Sequence, residues 1–201
     1  MPRRDAALAA TAAAYSLAHH LGSLPDGLGP AGHGTRVTDW LDLLVPFVVL
    51  GPALWTLVEA RAGRAAYAVF AVGALLYATG HGVHLSANSI GNTAPGETAH
   101  LWDERVGHLL WYAGVAVVFA VLAHTLRQTE PTGHPVAWLL VLAVGATWGT
   151  NATGGELTWP GAVLALAALA WGVARRRTRA GLAAAVGASG VVAVVVSAAV
   201  R

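Results

Sequence analysis

Residues 159–200 read WPGAVLALAALAWGVARRRTRAGLAAAVGASGVVAVVVSAAV: two apolar runs on either side of Arg175, Arg176, Arg177 and Arg179. Neither run holds an acid or a base, and each approaches the ~20 apolar residues one helix needs to cross a hydrocarbon core. The backbone must satisfy its own hydrogen bonds in lipid, so such runs are helical, and arginines between them mark a membrane face. The expected fold class is therefore all-α, a polytopic membrane helical bundle.

Working outward, the same pattern recurs. Runs near 6–23, 39–59, 65–87, 101–126 and 135–152 join 159–174 and 181–200, giving about seven spans in a single integral-membrane domain over residues 1–201. Composition agrees: 56% of residues are hydrophobic and 11% charged, against roughly 25% charged in soluble chains. With no cysteine, disulfides, thiolate metal sites and cysteine nucleophiles are excluded. The net charge is only +2 and the one dense basic run lies between apolar segments, so it reads as a topology anchor and not as a nucleic-acid surface. Arg3 and Arg4 precede an apolar run that continues into Tyr15, Ser16, His19 and His20 without a small-residue cleavage site, so it reads as the first span.

Loop charge orients the spans. With the N-terminus cytoplasmic and the C-terminus outside, the inner segments collect nine arginines (3, 4, 61, 64, 127, 175, 176, 177 and 179) and the outer ones three (36, 105 and 201). The positive-inside rule predicts that asymmetry for a multi-pass protein of a bacterial inner-membrane type of cell membrane.

On this topology the polar residues fall on one side. His19, His20, His33, His81, His84, His100 and His108 lie at outer ends, as do Asp26, Asp39, Asp42, Glu97, Asp103, Glu104 and Glu156, while His124 and His134 sit inward. A charge at the centre of a spanning helix costs about 2.5–3.5 kcal/mol, so ionisable groups at depth face a cavity, a partner or a ligand. At about 100° per residue, Tyr77, His81, His84, Asn88 and Asn92 share one stripe, and His100, Glu104 and His108 recur at i, i+4 and i+8 with Trp111 continuing inward.

Neutral imidazoles with carboxylates suit a divalent transition metal such as zinc, iron or copper. The expected ligands are His81, His84 and His108 first, with His20 and His100 as further candidates and Asp103, Glu104 or His20 able to supply a fourth. Asp103, Glu104 and Glu156 are the candidate catalytic carboxylates, orienting a histidine or acting as general base on a metal-bound water. The leading expectation is a membrane metalloenzyme with its site at the outer face, acting on a lipid or other apolar substrate by hydrolysis or oxidation. The alternatives are a metal-ion or proton transporter or sensor, a single-haem protein, and a structural protein. The constellation is similar to that of seven-span hydrolases related to alkaline ceramidases and adiponectin receptors, which use three His, an Asp and a Ser. The order differs, because the last span here offers only Ser189 and Ser197, and no kinship is drawn.

Overall fold

The computed structural model describes residues 2–130 and 135–200, so His134 lies outside the described residues. The fold is 83% helical and all-α apart from one small hairpin. In chain order the helices are α1 (Arg3–Ala18), α2 (Val37–Asp42), α3 (Val45–Glu59), α4 (Arg64–Thr93), α5 (Glu97–His100), α6 (His108–Leu126), α7 (Pro135–Gly154), α8 (Thr158–Ala174) and α9 (Leu182–Ala199). A π turn, Leu101–Gly107, joins α5 to α6 without a break.

Five stretches are long and apolar enough to cross a membrane: Val37–Glu59, Arg64–Thr93, Glu97–Leu126, Pro135–Gly154 and Arg179–Ala199. The other two expected spans are shorter helices. Apolar α8 has 17 residues, and α1 has 16 and opens on Arg3, Arg4 and Asp5. The run expected to continue to residue 23 leaves helix at Ala18, where Gly22, Pro25, Gly27 and Gly29 favour 3-10 turns over α-helix. A short antiparallel pair, β1 (Pro30–Gly32) and β2 (Thr35–Arg36), completes this strap. Asp39 anchors it: its carboxylate accepts from the Arg36 backbone N–H at 2.9 Å, the Arg36 guanidinium at 3.0 Å and Ser89 of α4 at 3.2 Å.

Helix α4 is longer than its expected span. Its 30 residues reach about 45 Å, more than the ~30 Å of a hydrocarbon core, and its last turns carry the polar residues Asn88, Ser89, Asn92 and Thr93.

The helices pack mainly as α4 on α6, α1 on α3 and α7, and α9 between α7 and α8. Close approach of α4 and α6 depends on Gly80, where a Cβ would lie 2.1 Å from the backbone nitrogen of Trp111. The two ends of the bundle differ in chemistry. At one, Arg4 donates to the Glu59 carbonyl at 3.1 Å, Asp5 pairs with Arg179 at 2.8 Å, and the Arg179 N–H reaches Thr129 O at 3.0 Å. At the other, His81 approaches the Asp42 carboxylate at 3.4 Å, His84 meets Asp103, and His100 meets Glu156 at 3.5 Å. Between them the core is apolar: Ala53, Leu57, Phe70, Val118, Val121 and Leu122 form one buried cluster towards the arginine end. Large aliphatic side chains cover the outside, Leu75 at 69% and Val163 at 62% exposure among them, as expected of a surface solvated by lipid.

Candidate metal centre

The π turn sets the geometry of the site. In an α-helix, residues five apart are about 140° out of phase, whereas the wider π turn brings i and i+5 towards one face. Asp103 and His108 are such a pair, and both meet His84 of α4. These three residues each offer one ligand atom, and the three atoms lie within 4.8 Å of one another. Their side chains are shielded but reachable, from 8% exposed for His108 to 16% for His84.

Hydrogen bonds to acceptor-only groups assign the imidazole tautomers. His108 Nδ1 is 3.2 Å from the Glu104 carbonyl, so it donates, and Glu104 Oε2 lies 3.1 Å from the same nitrogen. The neutral ring then carries its lone pair on Nε2, the ligating form, with a carboxylate behind it. His84 Nδ1 is in close contact with Asp103 Oδ1, so a cation held by both residues would take the place of the proton between them. His81 is held the other way round: its Nε2 donates to the Asp42 carbonyl at 3.0 Å, so the lone pair is on Nδ1. That nitrogen is buried and has no partner. His19 is satisfied at both nitrogens, donating from Nδ1 to Tyr15 O at 2.9 Å and accepting from the Tyr77 hydroxyl at 2.8 Å.

Trp111 organises the cluster. Its ring lies against His81, His19, His108 and His84, with centroid separations of 4.9, 5.2, 5.4 and 5.5 Å. The His84 and His108 rings are 4.4 Å apart, which leaves no room for a haem macrocycle between them. Behind His108, a Cβ on Gly155 would lie 2.8 Å from the imidazole, so glycine allows the end of α7 to close over the ring. The indole N–H of Trp111 and the hydroxyl of Tyr112 are also buried without hydrogen-bond partners. Several unmatched polar atoms in one layer, at about 1–3 kcal/mol each, fit a site completed by a polar or ionic ligand.

The other expected residues stand apart from this triad. His20 is exposed and points to Thr147 Oγ1 at 3.2 Å. His100 meets Glu156 at 3.5 Å, and Arg105 meets the same carboxylate at 3.8 Å, all about half-exposed or more. They form a wet rim. His81 is adjacent to His84, with ring centroids 6.1 Å apart, but lies outside the group of three. Asp42, which fixes the His81 tautomer through its carbonyl, carries no sequence signal for that role, because a backbone acceptor is available at any residue. Gly155 is equally silent in a chain with 24 glycines.

Compared with known proteins, the chain matches no family model, no curated protein and no solved structure.

Proposed function

We propose that this protein is a multi-pass membrane metalloprotein, and that His84, Asp103 and His108 hold a divalent transition metal at its outer face. The observation that carries the reading is convergence of these three ligands from α4, the π turn and the first residue of α6, with Glu104 behind His108. Two imidazoles and a carboxylate leave room in a tetrahedral or larger shell for water or substrate, which is the arrangement of catalytic rather than closed structural sites. Zinc there would activate water for hydrolysis, and iron or copper would support oxidation. Asp103 then acts as a ligand, Glu104 orients His108, and His81 Nδ1 offers an acceptor beside the centre. Glu156 contributes charge at the rim.

In this reading α1 and α8 complete seven crossings in one domain over residues 1–201, with a cytoplasmic N-terminus and an outer C-terminus. The placement of Arg4, Asp5 and Arg179 at one end and the histidine layer at the other supports it. The substrate is a lipid or other apolar molecule arriving from the bilayer, since the site sits among helices whose outer faces are aliphatic. The apolar cluster of Ala53, Leu57, Phe70, Val118, Val121 and Leu122 speaks against a transport path onward.

The test is incubation of the purified full-length protein with a lipid extract, with and without chelator, read by mass spectrometry. Consumption of one lipid class that stops with chelator supports the enzyme. Stoichiometric metal with no turnover of any lipid removes the enzyme and leaves a metal-binding protein.

A further inference from the structure

At the opposite end of the molecule, the turn between α8 and α9 borders a groove of about 180 Å³. Trp138, Val173 and Leu182 line it with apolar surface, together with Arg176, Thr178 and Arg179. Arg175, Arg176 and Arg177 are exposed, and among the described residues Asp5 is the one carboxylate paired with this arginine run. The run thus carries four arginines, of which Arg179 alone is paired with a carboxylate among the described residues. Arg179 spends one Nη on Asp5 at 2.8 Å, while its Nε is buried without a partner.

We propose that this groove binds the headgroup and upper acyl region of an anionic glycerophospholipid. Guanidinium groups pair with phosphate through planar, charge-assisted hydrogen bonds, and their excess here is unmatched by protein carboxylates. Basic pockets between spanning helices on the cytoplasmic side have the charge and depth for such headgroups. The apolar wall selects the lipid over free phosphate, because inorganic phosphate has nothing to place against Trp138, Val173 and Leu182. Trp138 also suits the level of the membrane interface, where indole is stable. The proposal rests on the spanning fold and is independent of the metal centre.

The experiment is native mass spectrometry of the full chain in detergent, titrated with phosphatidylglycerol or phosphatidylcholine. Wild type is expected to retain phosphatidylglycerol preferentially. Arg176→Gln, at a residue lining the groove, should reduce that preference by about fivefold. Val173→Trp, at an exposed position lining the groove, should displace the lipid with every arginine intact. Millimolar inorganic phosphate should not compete. Equal retention of the two lipids by wild type overturns the proposal, as does unchanged binding in Val173→Trp, which would reduce the effect to general surface charge. Displacement by phosphate overturns it in favour of a simple anion site. The wild-type lipid comparison and the phosphate arm decide the matter even if a variant fails to fold.

Discussion

Glu104 illustrates how much one side chain settles. Its backbone carbonyl and its carboxylate both address His108 Nδ1, which leaves the Nε2 lone pair of the neutral ring for a ligand. Glu104→Gln keeps the shape and loses the charge; metal affinity should fall by about 10–100-fold, read by zinc or cobalt titration, because outer partners of ligating histidines carry that much. Unchanged affinity would mean the carboxylate has no part in holding the ring. His20→Ala and His100→Ala, by contrast, should leave metal binding intact, since one side chain turns to Thr147 and the other to the exposed Glu156. The sequence made His84 and His108 legible through depth and helical phase. It could not rank Asp103 above His100, because an even 100° rotation places His100, Glu104 and His108 together. Nor could it show that His81 is committed to Asp42 through a backbone carbonyl.

At the level of elements, the π turn over Leu101–Gly107 and the close α4–α6 contact are the two features that build the site. A π turn has no composition of its own, so the 101–126 run reads from sequence as an uninterrupted α-helix. The helices were legible because apolar runs bounded by arginine, glycine or proline leave few alternatives in lipid. The strap over residues 21–36 was not, since its turns are set by local backbone chemistry and by Asp39 gripping Arg36 and Ser89. Gly80→Val tests the helix contact. The added side chain meets the Trp111 backbone and should destabilise the fold by roughly 1–3 kcal/mol, seen as a lower thermal midpoint, while weakening metal binding. A variant with wild-type stability and affinity would show that the two helices do not need this approach.

On the scale of the whole molecule, the separation of an arginine end from a histidine and carboxylate end is the organising fact. Loop charge in the sequence anticipated that separation, and the contacts of Arg4 and Arg179 place distant loops together at one end. What charge alone could not fix is the length of α1 and α8, on which the count of crossings depends. The absence of cysteine makes topology mapping clean. Single cysteines at Thr98 and Arg177 should label with an impermeant maleimide from opposite sides of intact cells, Thr98→Cys directly and Arg177→Cys only after permeabilisation. Labelling of both from outside would break the proposed orientation.

Whether His84, Asp103 and His108 hold a metal is decided by elemental mass spectrometry on purified full-length protein and on a His84→Ala/His108→Ala variant, with circular dichroism to confirm that both remain helical. About one transition-metal ion per chain is expected in the wild type, as for a mononuclear site, and none in the folded variant. A wild type without metal after equilibration with zinc, iron or copper, or a variant that binds as much as the wild type, would contradict it.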